Sequence, residues 1–180
     1  MDLWLAPHDA RVRSLRELTF GCSPTQFGDC VALATGDRLV ALRFTEDREG
    51  TLHTLRSEWP DVPFRHSANT EGLITEAFRN PGAVPILAVG TPFRLAVWEF
   101  LRGTPSAVTL TYGEVARAIG RPTAARAVGQ AVGANGLAVL IPCHRVVSRG
   151  KLTGYRWGLE RKKALLAWEL SRRDPLEMPF

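Results

Sequence analysis

The sequence predicts a small α/β unit followed by a mostly helical one, and three observations carry that fold class. Alternating apolar residues mark short strands at Leu15–Cys22, Asp29–Thr35 and Arg38–Phe44, with Gly36-Asp37 as a tight hairpin turn, which suggests a small antiparallel sheet. A break at Gly90-Thr91-Pro92 then separates this pattern from the remainder of the chain. Beyond the break, helical spacing dominates, as at Phe93, Val97, Phe100 and Leu101. The expected division is therefore residues 1–90 and residues 91–180.

Within the first unit, helices are expected over Asp47–Trp59 and Thr70–Asn80, the second stopped by Pro81-Gly82. Pro85–Val89 adds an extended piece. In the second unit, Phe93–Arg102 is one helix. Thr111 is placed to cap a helix over Tyr112–Ile119, which Gly120 closes. After the connection Arg121-Pro122-Thr123, Thr123 is the expected cap of a helix over Ala124–Ala134. Two short helices joined by such a turn resemble a helix-turn-helix. A last helix is expected over Leu159–Arg172.

Composition narrows the function classes. The chain has 180 residues, 45% of them hydrophobic and 23% charged, as soluble globular proteins do. No apolar run is long enough to span a bilayer, and the N-terminus lacks the basic start and apolar core of a signal peptide. Three cysteines are an odd number, so a reducing compartment is expected, with the cytoplasm as default. Cys22 and Cys30, with His8 or His53, lack a recognisable zinc-ligand spacing. The net charge of +5 divides unevenly: residues 1–90 hold 9 Lys+Arg against 12 Asp+Glu, and residues 91–180 hold 14 against 6. A basic half of this kind suits a polyanionic partner.

The third cysteine lies in that basic half, in Ile141-Pro142-Cys143-His144-Arg145-Val146, after the apolar run Leu137–Ile141. Proline fixes φ and can hold the next side chain at a rigid exit. A thiol flanked by basic residues reads as a pre-activated nucleophile. An isolated Cys-His pair is more often a small buried hydrophobe followed by surface residues. The helix upstream reads Ala124-Ala125-Arg126-Ala127-Val128-Gly129-Gln130-Ala131-Val132-Gly133-Ala134. It has few base-reading side chains, but it is slim enough for shape-based binding in a minor groove, with Arg126 able to enter the base stack.

These segments together resemble the O6-alkylguanine-DNA alkyltransferases. The resemblance rests on Ile141–Val146, on Ala125-Arg126-Ala127-Val128-Gly129 with Asn135, and downstream on Gly154-Tyr155-Arg156-Trp157-Gly158-Leu159 with Glu169. It covers residues 91–180, while residues 15–90 match in layout. It implies a ribonuclease H-like N-terminal domain and a winged-helix-like C-terminal domain. It also implies direct reversal of O6-alkylguanine damage in double-stranded DNA by a monomer, with base flipping from the minor groove and irreversible transfer to Cys143. No metal or organic cofactor is implied, and O4-alkylthymine stays open as a substrate.

By the same resemblance Cys143 is the alkyl acceptor, His144 the base acting through a water, and Glu169 the carboxylate that orients it. Arg126 fills the gap left by the flipped base, with Ala125 and Ala127 beside it in the groove. Tyr112 rotates the 3′ phosphate and protonates the departing guanine. Asn135 ties the active-site turn to the helix pair. Val146 offers its carbonyl to the base, and Tyr155 with the Arg156 amide covers the pocket. Leu137-Ala138 stands where some relatives have prolines, which leaves tolerance for bulky alkyl groups open. Relatives that bind lesions without repair carry tryptophan at the cysteine position, so Cys143 implies transfer chemistry. Two other classes remain as alternatives: a helix-turn-helix regulator or non-catalytic lesion binder, and a thiol hydrolase using Cys143 and His144. No oxyanion-hole glycine motif adjoins Cys143 for the latter.

Overall fold

The computed structural model describes residues 2–5, 9–149, 151–152 and 154–172, without the side chain of Arg11. Strands β2 (Leu18–Thr25), β3 (Gly28–Thr35) and β4 (Arg38–Thr45) form an antiparallel meander. The expected turn at Gly36-Asp37 is present, and Gly36 takes the left-handed φ of 58° that it requires. β2 runs three residues further than expected, to Thr25, because its hairpin turns at Gln26-Phe27. That turn was illegible because its left-handed residue, Gly28 at φ 109°, follows the pair instead of lying within it. A short strand β5 (Phe64–His66) joins β2 in parallel, giving the order β4-β3-β2-β5. The sheet is thus mixed, where a purely antiparallel one was expected.

Helix α2 (Arg48–Glu58) starts where the Asp47 carboxylate accepts from Gly50 N at 3.0 Å. Its Leu52 and Leu55 cover Leu18, Val31, Leu33 and Ala41 on one face of the sheet. The opposite face receives α3 (Ala68–Arg79), through Ile74 and Ala77. Strand β1 (Leu3–Leu5) pairs in parallel with β6 (Leu87–Val89), preceding the short helix α1 (Ala10–Arg13).

After Thr91, whose hydroxyl caps it, α4 runs over Pro92–Arg102. Helix α5 (Tyr112–Ala118) opens with a reciprocal capping box between Thr111 and Glu114. Helix α6 spans Ala125–Gly133. Thr123 does not cap it. The connecting turn continues one residue further, with Ala124 N bonded to Arg121 O, so Ala124 occupies the cap position with no side-chain oxygen to offer. A two-residue parallel ladder links β7 (Leu110–Thr111) to β8 (Val146–Val147). The last helix, α7, covers Leu159–Ser171. No helix among the described residues is long and apolar enough to cross a membrane.

One apolar core crosses the Gly90 break, joining Phe44, Ile74 and Ile86 to Val97, Val115, Val128 and Leu165. Polar contacts reinforce it. Leu42 N donates to Gly136 O at 2.9 Å and Ala138 N to Leu42 O at 2.8 Å, so β4 pairs with the turn that leads to Cys143. Arg102 pairs with Asp2 and donates to Val84 O and Leu140 O, both at 2.9 Å. The sheet half therefore fixes the position of the cysteine turn.

Candidate active site

The run Leu137–Ile141 folds as a tight turn closed by Ile141 N donating to Leu137 O at 2.9 Å. Val139 sits there at φ 66°, a conformation costly for a β-branched residue, roughly 1–2 kcal/mol. Pro142 follows, and Cys143–Arg145 form a single 3-10 turn. That turn drives three side chains inward: Cys143, His144 and Arg145 are 3%, 0% and 9% exposed. Facing them, α7 presents Lys162, Leu165 and Glu169, all buried, at the i, i+3, i+7 spacing of one helix face.

Buried charges on that face are paired. Glu169 Oε1 lies 2.7 Å from His144 Nε2 and 2.8 Å from an Arg145 terminal nitrogen; Oε2 accepts from Arg145 Nε at 2.9 Å and from Ala107 N at 2.9 Å. Arg145 also donates to Thr104 O at 2.6 Å. Burial by itself raises the Glu169 carboxyl, but the bonds from His144 and Arg145 prevail and bring its pKa down to about 2. Lys162 Nζ donates to Val146 O at 2.7 Å and approaches Gly154 O at 3.3 Å, tying α7 to both segments around the thiol.

An ionised carboxylate only accepts hydrogen bonds, so the proton between His144 and Glu169 belongs to Nε2. The lone pair is then on Nδ1, which is buried without a hydrogen-bond partner among the described residues. Burial lowers the imidazole pKa, countered in part by the Glu169 bond, so the ring is neutral near pH 7 and able to take a proton. Asn135 is buried and donates from Nδ2 to Cys143 Sγ at 3.1 Å, as well as to Ile141 O at 2.9 Å. Burial pushes the Cys143 thiol up to about 11, against the pull of the Asn135 bond and the charges of Lys162 and Arg156. A thiol of that pKa is ionised in roughly one molecule in 10⁴ at pH 7, so it needs a base to react.

The other expected residues are distributed around this centre. Tyr112 opens α5 beside Gly129 of α6, and a Cβ at Gly154 would lie 3.7 Å from its hydroxyl. Burial raises its pKa, with the Cys143 thiolate as the second cause. The Tyr155 hydroxyl is buried with no partner among the described residues, and its pKa is well above the usual value, first through burial and then through Cys143. Arg156 lies over the Trp157 ring at 5.9 Å. The Val146 carbonyl, expected to face a base, already receives the Lys162 bond and keeps one lone pair. On α6, Arg126 is exposed and flanked by the half-buried Ala125 and Ala127. These residues of α6 do not join the buried relay. Near them, Arg117 and Arg149 line a surface cavity with Thr111 and Tyr112.

The sequence alone assigned Arg145 no part beyond a charge beside the thiol, and none to Lys162 or Ala107. The helical spacing of Lys162, Leu165 and Glu169 is a signal that places Lys162 on the buried face. Ala107, held at φ 59°, carries no comparable mark. Cys22 and Cys30 lie on opposite faces of the sheet, the former beside Leu18 and the latter beside Phe44. His8 falls outside the described residues. Among the described residues, no group of three or more His, Cys, Asp or Glu is placed to hold a metal ion.

The fold and site define a protein with a buried cysteine, an imidazole–carboxylate pair beside it, and a short helix that exposes Arg126. Residues 92–171 match the family described as 6-O-methylguanine DNA methyltransferase, DNA binding domain. A methylated-DNA–protein-cysteine methyltransferase of Shigella flexneri is 47% identical over 142 residues, covering 73% of this chain and 83% of the relative. The crystal structure of the Mycobacterium tuberculosis O6-methylguanine methyltransferase superposes with a TM-score of 0.72 at 33% identity, covering 88% of this chain and 96% of that one. The chain belongs to the methylated-DNA–protein-cysteine methyltransferase family. The match spans less than half of other relatives: it covers 46% of the Escherichia coli bifunctional transcriptional activator/DNA repair enzyme Ada, at 32% identity over 86% of this chain. Likewise, it covers 47% of the Salmonella typhimurium methyltransferase.

Proposed function

We propose that this protein reverses O6-alkylguanine damage in double-stranded DNA by a single, irreversible transfer of the alkyl group to Cys143. The observation that carries this reading is the His144–Glu169 contact at 2.7 Å, which leaves His144 Nδ1 as a buried acceptor on the residue next to the thiol. His144, through a water, removes the Cys143 proton as the sulfur attacks the alkyl carbon. The carbon–O6 bond breaks, its electron pair passes to the guanine, and Tyr112 supplies the guanine's proton. The proton taken from sulfur restores Tyr112, so atoms and charge balance. The thioether has no leaving path, and the protein is consumed.

Around this step, Asn135 favours the thiolate, Lys162 anchors Val146 and the Gly154 segment, and Arg145 keeps Glu169 ionised. Val146, Tyr155 and Arg156 frame the flipped base. Helices α5 and α6 form the helix-turn-helix of a winged-helix-like domain, residues 91–180, behind a ribonuclease H-like domain, residues 1–90. The small side chains of α6 suit the minor groove, and exposed Arg126 fills the vacated stack. Three free thiols agree with a cytoplasmic location. M. tuberculosis OGT, solved in complex with DNA and 34% identical to this chain, supports the choice of partner.

The test is intact-protein mass spectrometry after mixing with a duplex bearing one O6-methylguanine. One added CH₂ on Cys143, saturating at one per protein and absent in Cys143→Ser, is the expected outcome. Tight DNA binding without mass change would establish a lesion binder instead.

A further inference from the structure

A second cavity, of about 320 Å³, opens between the sheet half and the turn preceding Cys143. Arg43, Arg94 and Arg156 line it, together with Glu58, Trp59 and Trp98. Three guanidinium groups thus surround a single carboxylate. Glu58 is committed to Arg43, whose terminal nitrogen donates to it at 2.6 Å. Arg43 has only 10% of its side chain exposed, yet its Nε–H is buried with no hydrogen-bond partner among the described residues. Arg94 and Arg156 make no ion pair with a described residue. Burial lowers the Arg156 pKa first and repulsion from Arg43 second, while Glu58 raises it, so all three groups share one field. Arg94 and Arg156 are exposed at the cavity mouth, and an anion there would balance their charge and give the buried Arg43 Nε–H an acceptor.

We propose that this cavity, which backs onto the cysteine turn through Asn135 and Ile141 and lies away from Arg126, is a binding site for the phosphoryl group of a small molecule. The excess of two positive charges over Glu58 matches the −1.5 to −2, approximately, of a phosphate monoester near neutral pH. Donors converging from β4, α4 and the loop before α7 suit a tetrahedral oxyanion better than a planar carboxylate, which two parallel N–H groups of one arginine satisfy. The volume lies at the small end of the roughly 300–1,000 Å³ typical of ligand cavities. The wall is anchored at Trp98, whose Nε1 donates to Ala131 O at 2.8 Å.

Titration calorimetry of the intact protein with inorganic phosphate, in chloride of matched ionic strength, tests the site. One saturable site is expected, weakened about tenfold in Arg94→Gln, whose exposed side chain leaves folding intact. Arg43→Gln should weaken it as much, while Arg126→Ala should leave it unchanged. A nucleoside 5′-monophosphate binding more tightly than phosphate would place the phosphoryl group on a base-bearing ligand, and equal affinity would make free phosphate the occupant. No saturable binding overturns the proposal. So does equal weakening by Arg126→Ala, which would mean that phosphate occupies the DNA-facing surface.

Discussion

Replacing Glu169 with glutamine preserves shape and removes one charge at the point where four donor nitrogens meet. Its carboxylate accepts from His144 Nε2, from Arg145 through two nitrogens, and from Ala107 N. An amide has only one accepting oxygen. If that oxygen faces His144, the NH₂ group opposes the Ala107 N–H and Arg145; if it is reversed, the NH₂ opposes His144. Arg145, with 10% of its side chain exposed, also loses its counter-charge. Breaking a buried pair in this way costs about 3–5 kcal/mol of stability. The loss has a pH signature. The carboxyl pKa falls from the ordinary 4.5 to about 2 on folding, so the group stabilises the fold fully above pH 4.5 and progressively less as pH drops towards 2. Urea unfolding midpoints should therefore decline through that window in the parent chain and decline less in Glu169→Gln. Chemistry should suffer separately. With an amide nitrogen facing Nε2, the Nδ1 position carries the proton and no longer accepts one, which removes general base catalysis worth about 10²–10⁴. Single-turnover transfer from a saturating O6-methylguanine duplex, followed by mass spectrometry on the folded fraction, reads that loss. Transfer within about threefold of the parent chain would refute the Cys143–His144–Glu169 relay.

Other substitutions separate the remaining roles. Arg126→Ala should slow repair of duplex DNA far more than reaction with the free O6-methylguanine base, because only the duplex has a stack to fill; equal losses would remove that role. Binding to undamaged duplex should weaken steeply with salt, and Arg149→Ala should reduce the log–log slope by about 1, since an exposed arginine in the Tyr112 cavity is placed to meet one phosphate. Asn135→Ala deletes the donor to Cys143 Sγ and leaves Ile141 O short of a partner. It should raise the thiol pKa further, read by the pH dependence of alkylation by iodoacetamide; an unchanged profile would mean the amide serves only the backbone. For the parent chain, the acid limb of the transfer rate should have its midpoint below 6.5, the ordinary imidazole value, because burial lowers the pKa of His144. A midpoint above 6.5 would show an imidazole stabilised in its charged form.

Local chemistry was legible wherever a residue acts on its immediate neighbours. The Thr111 cap, the Gly36 turn and the helical spacing of α4 and of Leu165 with Glu169 on α7 all depend on side chains within about one helical turn. Thr123 shows the limit of that logic, since a turn one residue longer moved the cap to Ala124. β5 was hidden because three residues with two exposed positions carry no alternation, and only pairing with Leu18–Phe20 makes them a strand.

The sequence by itself determined that the half containing Cys143 is basic, and its family resemblance grouped that cysteine with His144 and the distant Glu169 in one motif. Only the tertiary structure decided the chemistry of that motif. The distances are set by contacts across long stretches of chain: Arg145 and His144 meet Glu169 from 24 and 25 residues away, and Leu42 pairs with the turn at Gly136 and Ala138. Protonation depends on these contacts in turn, because burial raises the thiol pKa, lowers that of the imidazole and fixes its tautomer through one carboxylate. The cavity around Arg43 belongs to the same category. Its three arginines lie far apart in sequence, and their shared field exists only when the sheet half closes against the cysteine turn.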